Sequence, residues 1–374
     1  MNPAKCAHII TGLGDGGAEA VLYRLVTNAT ESRHAVISLT DAGKYGPLLV
    51  AAGIPVTCLN MPRGRVTAAG LWRLWRSIRQ ARPDVMQCWM YHADLLGGVA
   101  ARLAGVRNIC WGIHHTTLDP GHSARSTILV AKACARLSRL VPRRIICCAE
   151  KSRTIHATLG YDASRMTVVP NGYDLSVFQP DPRAGAALRA DLGLGPQAPV
   201  LGFVARFDPF KDHGTLLAAL VLLREQGLRP TCLLVGTGMT ADNAALAEML
   251  ATAGLGDQIR LLGRRSDIPA VMSALDLHVM SSNSEAFPNV LAEAMACGTP
   301  CISTDVGDAA AILGATGRIV PPRDPAALAA AIADMLALCD RPDWQERRRM
   351  ARQHVAEHFS LERMVENYRR VWYG

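Results

Sequence analysis

Aromatic residues are scarce in this chain, 5 % of 374, and no apolar run reaches the roughly 18 residues that a membrane-spanning helix requires. The N-terminus, Met1-Asn2-Pro3-Ala4-Lys5, leads straight into a strand-like run and lacks a signal peptide's apolar core. Together these absences predict a cytoplasmic protein without a transmembrane helix. The eleven cysteines are odd in number and form no Cys-x-x-Cys pair, which argues against a disulfide framework. Most of them lie in apolar runs, where Cys behaves as a small hydrophobe. No Asp-x-Asp motif falls at the strand ends and no metal-ligand cluster stands out, so no metal is predicted. Internal repeats, low-complexity tracts and an aromatic-basic nucleic-acid module are also missing.

What is present is a chain nearly half apolar and long enough for two ordinary domains. Short β-like runs (Ala7–Thr11, Ala35–Leu39, Val85–Trp89, Asn108–Gly112, Arg144–Cys148, Met166–Pro170) alternate with helix-like ones, the pattern of a doubly wound parallel sheet. A stretch rich in Pro, Asp and Gly from Tyr173 to Pro199 reads as an irregular linker. The alternation restarts at Val200 and continues through Thr231–Val235, Ile259–Leu262, Leu275–Met280, Thr299–Thr304 and Arg318–Val320. A charged, periodic tail from about Trp344 to Trp372 reads as one or two helices. The predicted domains are 1–175 and 176–355, with a C-terminal helix, 356–374, packing back on the first.

Charge is uneven. Residues 1–185 carry 22 Lys and Arg against 11 Asp and Glu, whereas 186–374 carry 18 against 21. The excess concentrates in 51–150, with 14 basic residues against 4 acidic, which suggests that the first half meets a polyanion or an anionic membrane.

The most informative stretch is Ser281 to Pro300. Glu285 stands in a loop after a buried strand, Pro288 fits the first turn of a helix, and the apolar-periodic run to Met295 is that helix. The helix start near Phe287, Pro288, Asn289, Val290 and Leu291 aims N–H groups at an anion such as a diphosphate. Glu293, eight residues after Glu285, is placed to reach a ribose hydroxyl. Two glutamates alone are ordinarily solvated surface residues; their setting describes a nucleotide-sugar pocket.

Elsewhere, Gly202 to Asp212 places Arg206 and Lys211 at the C-terminal edge of the second sheet, where open α/β folds bind ligands. Gly236 and Gly238 follow another strand and allow backbone to approach a nucleotide. In the first half, Gly12, Gly14 and Gly17 match G-x-G-x-x-G, the dinucleotide fingerprint, and offer a rival reading as an NAD-dependent oxidoreductase. Asp41, 24 residues after Gly17, supports that reading weakly, since the ribose-binding acid usually comes about 20 residues on.

The Ser281–Pro300 pattern, Gly16-Gly17-Ala18-Glu19, Val169-Pro170-Asn171-Gly172, the Arg206/Lys211 pair and the Thr304-Asp305-Val306-Gly307 loop closely resemble the family-4 retaining glycosyltransferases, in order and over both halves. Ala205 stands where the family often has Gly. The resemblance implies a GT-B fold, two Rossmann-like doubly wound domains facing a central cleft, and transfer of a hexose-type sugar with retention from a UDP- or GDP-sugar to a lipid-linked or cell-surface glycan. It implies no separate cofactor. Arg206 and Lys211 would meet the diphosphate, Glu285 the sugar, Gly16 and Gly17 the donor phosphates and acceptor, and the Leu261–Ile268 loop with Arg264 the base. A histidine ending the Asn108–Gly112 strand would contact the transferred sugar. His114 and His115 cannot both point the same way from an extended strand, and the polar Thr116 and Thr117 favour His115.

The segment Arg63–Arg82 has Leu71, Trp72, Leu74, Trp75 and Ile78 beside Arg73, Arg76 and Arg79 at helical spacing. It suits either an anionic membrane interface or a sheet-covering helix with a basic back. A module that only binds nucleotide sugars or anionic lipid is the third reading.

Overall fold

The computed structural model describes residues 3–115, 124–195 and 197–374. Two compact units form, Met1–Gly172 with Leu361–Gly374, and Tyr173–Ser360. The divisions at 172/173 and 360/361 compare with 175/176 and 355/356 expected from sequence.

In the first unit, β1 (Lys5–Ile10), β2 (Arg33–Ser38), β3 (Val56–Cys58), β4 (Val85–Trp89), β5 (Ile109–Ile113), β6 (Arg144–Cys147) and β7 (Met166–Val168) form one parallel sheet. Its order is β3-β2-β1-β4-β5-β6-β7. Helices cover both faces of such a sheet, which is why β4 and β5 are buried at every residue and read as apolar runs, interrupted only by Gln87. Sequence reading missed β3. It has three residues on the sheet edge, none of them buried, so it shows no period. The helix Leu361–Tyr373 buries Leu361, Met364, Tyr368 and Trp372 in the same core as Ile10, Trp89 and Cys110, and Trp372 Nε1 donates to Gln87 Oε1 at 3.0 Å.

The second unit repeats the plan with β8 (Val200–Val204), β9 (Thr231–Val235), β10 (Ile259–Gly263), β11 (Leu277–Met280), β12 (Cys301–Thr304) and β13 (Arg318–Val320), all parallel, in the order β10-β9-β8-β11-β12-β13. Each sheet reverses its strand order once, at β1/β4 and at β8/β11. A reversal opens a crevice at the C-terminal strand ends, where ligands of doubly wound folds bind.

The stretch 173–199 is not irregular throughout. Pro182–Asp191 is a helix, started by Asp181, whose carboxylate accepts from the Ala184 N–H at 2.9 Å, and by Pro182 in the first turn. The tail forms two helices, Trp344–His358 in the second unit and Leu361–Tyr373 in the first.

The helix Ala68–Ala81 turns Gly70, Leu74 and Ile78 inward. Trp72 is 54 % exposed, with the Arg76 guanidinium 5.1 Å over its ring, and Arg79 lies 5.4 Å over Trp75. It is therefore a sheet-covering helix with an outer face of tryptophan and arginine.

Candidate active site

The residues expected to hold a donor gather at the C-terminal edge of the second sheet. Past β8, Arg206 Nε donates to Asp208 Oδ2 at 3.0 Å, and the same carboxylate caps the Phe210 N–H at 2.9 Å. Burial pushes Asp208 up, but the Phe210 N–H and the Arg206 guanidinium outweigh it and hold the carboxylate below its ordinary range. A single 3-10 turn, Pro209–Lys211, then delivers Lys211. Asp212, in the left-handed region at φ +48°, starts the helix His213–Glu225 by accepting from the Thr215 N–H.

Lys211 Nζ is ion-paired with the Glu285 carboxylate, and Ser282 Oγ donates to Glu285 Oε1 at 2.9 Å. The loops carrying them are joined at the backbone too. Ser281 Oγ donates to the carbonyls of Lys211 (3.1 Å) and Asp212 (2.8 Å), and the Asn283 N–H donates to the Phe210 carbonyl at 2.8 Å. Ser281, Ser282 and Asp208 were not singled out by sequence. The Asp208-Pro209 start signal was the available clue for the last.

Gly236 and Gly238 sit beside this loop. At Gly236, φ +139°, a Cβ would lie 2.0 Å from the Ala205 carbonyl oxygen, and at Gly238, φ +81°, it would lie 2.9 Å from Phe207 Cβ. What these glycines visibly accommodate is the neighbouring Ala205–Phe207 loop, fastened by Phe207 N–H to Thr237 O at 2.8 Å. Arg264 is exposed just past β10, while Arg265 pairs with Asp267 and holds that carboxylate below its ordinary range.

The helix Asn289–Ala296 begins one residue later than expected. Pro288 is its cap rather than part of its first turn, and no side chain caps it. Phe287 is buried against Phe359 at 5.6 Å and Leu291 is fully buried, so these two offer a ligand only backbone groups. Tyr173 Oη donates to Asn289 Oδ1, and Val290 and Glu293 are half-buried. The Asp308 N–H reaches the Ala286 carbonyl at 3.0 Å, tying the loop after β12 to Glu285's loop.

In the first unit, Gly16 caps and Gly17 opens the helix Gly17–Asn28. Asp41 lies 3.5 Å from Arg63. Beyond β5, His114 stacks on Trp89 and its burial lowers its pKa to about 3, whereas His115 is exposed and stacks on Tyr91. Thr116 and Thr117, which favoured His115 in the sequence, lie outside the described residues.

One group of potential metal ligands was not legible. Cys6, His8 and His34 bring ligand atoms within 4.8 Å of one another. Their imidazoles form a chain: Trp89 Nε1–H donates to His8 Nδ1 (3.2 Å), His8 pairs with His34 Nδ1 (2.9 Å), and His34 Nε2–H donates to the Ala29 carbonyl (2.9 Å). All four ring nitrogens are used, as in a satisfied core network.

Residues 15–177 match the family described as Glycosyltransferase Family 4, and residues 198–337 match the family described as Glycosyl transferases group 1. A Bacillus subtilis protein named as a glycosyltransferase, EpsF, is 28 % identical over 80 % of this chain and 79 % of its own length. The UDP-Gal:alpha-D-GlcNAc-diphosphoundecaprenol alpha-1,3-galactosyltransferase of Escherichia coli is 27 % identical over 68 % of this chain and 65 % of itself. Among solved structures, HepE of Anabaena in complex with UDP and glucose shares the fold, with a TM-score of 0.85 over 98 % of both chains at 24 % identity. Two family matches that between them span most of both units, on sheets with this strand order, place the chain in family 4 of the glycosyltransferases, the group 1 enzymes of GT-B fold.

Proposed function

We propose that the enzyme transfers a hexose from a UDP-sugar to a lipid-linked or cell-surface glycan, with retention of configuration and without a metal. The observation that carries this reading is the Lys211–Glu285 pair, stitched by Ser281 and Ser282 beside a helix start that no side chain caps. As the bond from the anomeric carbon to the diphosphate breaks, negative charge grows on the diphosphate. Lys211, Arg206 and the N–H groups at Phe287–Leu291 are suited to bear it. Lys211 then shares its charge with the phosphates, and Glu285 accepts hydroxyls of the sugar and opposes positive character at the ring.

Glu293 is assigned to the ribose, Gly236 and Gly238 to nucleotide approach, and Arg264 to the base. Gly16 and Gly17 are assigned to the donor phosphates and the acceptor, and His115 to the transferred sugar. The choice of UDP over GDP rests on relatives: one is named for UDP-Gal and a diphosphoundecaprenol-linked acceptor, and HepE is solved with UDP. No helix among the described residues is long and apolar enough to cross a membrane. The Trp72 and arginine face of Ala68–Ala81 is therefore assigned to an anionic inner-leaflet surface, where a lipid-linked acceptor would be met.

Titration with a panel of UDP- and GDP-hexoses and with NAD(H), read by thermal shift, tests the donor. A UDP-hexose should raise the unfolding temperature and NAD(H) should not. Stabilisation by NAD(H) alone would revive the oxidoreductase reading of Gly12, Gly14 and Gly17.

A further inference from the structure

The junction where β4 passes directly into the helix Met90–Leu103 carries strained backbone. Met90 has φ +67°, a left-handed conformation unfavourable for a residue with a side chain, and it stands between Trp89 and Tyr91. Such strain persists where surrounding structure imposes it, often at functional sites. Its result here is specific. Trp89 stacks on His114 with centroids 5.1 Å apart and planes at 19°, and Tyr91 stacks on His115 at 6.1 Å and 22°. Two consecutive histidines beyond β5 each rest on a ring from this one junction.

Tyr91 is itself held. A carbonyl only accepts, so His156 Nδ1 must carry a proton to bond the Ser152 carbonyl at 2.7 Å. Burial lowers the pKa of His156 to about 4, and the neutral ring therefore leaves Nε2 as an acceptor for the Tyr91 hydroxyl, at 2.6 Å. Ser152 closes the circuit, since its Oγ–H donates to the His115 carbonyl at 2.6 Å. Tyr91, Ser152 and His156 are buried, and the residue they converge on is exposed. A network that served packing alone would have no need to fix both the ring and the backbone of a surface histidine.

We propose that Tyr91, Ser152 and His156 are positioning residues that set the orientation of His115; this rests on the assignment of His115 to the transferred sugar. Stacking fixes the plane of the imidazole, the Ser152 bond fixes its backbone, and His156 locks the tyrosine that does the stacking.

The test is a double-mutant cycle in the full-length enzyme. Tyr91→Leu, which removes ring and hydroxyl, and Ser152→Ala, which removes one bond, should each lower kcat by about tenfold or more while leaving the KM for nucleotide sugar near wild type. Tyr91→Phe keeps the ring and the core volume and should fall between wild type and Tyr91→Leu. In a His115→Ala background all three should cost nothing further, because their effect passes through the missing ring. The same loss in both backgrounds would overturn the positioning role while leaving that of His115 intact. Wild-type turnover in His115→Ala alone would overturn the assignment beneath it.

Discussion

Lys211 and Glu285 stand 74 residues apart in sequence and form an ion pair whose side chains are only 20 % and 15 % exposed. Arg206, the other cation of the loop, is 61 % exposed and paired with Asp208. The two cations were equivalent in sequence; in the structure they are not. Removing Lys211 takes the cation away from a mostly buried carboxylate, which is more costly than losing an exposed partner.

Lys211→Ala should therefore lower both turnover, by about 100-fold, and stability, by about 1–2 kcal/mol. Arg206→Ala should lower turnover comparably with little change in unfolding temperature. Steady-state kinetics and thermal unfolding of both variants check this, and near wild-type turnover in either would mean that the donor pocket is misplaced.

Activity should survive chelation. If cations and a helix start bear the leaving-group charge, EDTA leaves most of the turnover in place. Complete loss, restored by Mg²⁺ or Mn²⁺, would contradict this mechanism.

Stability should fall with acid earlier than carboxylate protonation alone dictates. Burial lowers the pKa of His8, His34, His114, His156, His213 and His278, the last four to between about 3 and about 4. Between pH 6.5 and about 4 the unfolded chain takes up protons that these native histidines refuse. Each of His114, His156, His213 and His278 removes roughly 1.4 kcal/mol per pH unit across that window. Buried Asp94 and half-buried Glu19, both raised by desolvation, act in the opposite sense but are fewer. Neither ring nitrogen of His278 has a hydrogen-bond partner among the described residues. His278→Leu should thus raise the unfolding temperature and flatten its dependence on pH, and an unchanged slope would count against the assignment.

Anionic vesicles should sediment the enzyme and zwitterionic ones should not, with the effect weakened by salt. Exchanging Arg73, Arg76 and Arg79 for Glu should abolish it, since Arg76 and Arg79 overlie Trp72 and Trp75 on the outer face. Equal recovery in the supernatant with both vesicle types at low salt would leave these charges as a solvated face and point to a soluble acceptor.

Strands buried on both faces announce themselves as largely apolar runs, which is why β4, β5, β8, β9, β11 and β12 were legible. Three-residue β3, with no buried residue, was not. The helix Pro182–Asp191 was hidden because Asp, Pro and Gly mark both turns and helix starts, and only its packing distinguishes the two. At the site, motif spacing located Arg206, Lys211 and Glu285 but could not tell which cation pairs with the carboxylate. That depends on contacts between loops far apart in sequence. The stacking of His115 on Tyr91 was invisible for the same reason.

The most direct test is UDP release from UDP-hexoses in the presence of a diphosphate-linked lipid glycan, measured for wild type, Lys211→Ala and Glu285→Gln. We predict release that depends on acceptor in the wild type and falls about 100-fold in both variants. No release from any UDP-hexose, or equal rates in all three proteins, would contradict a sugar-transfer site built on Lys211 and Glu285.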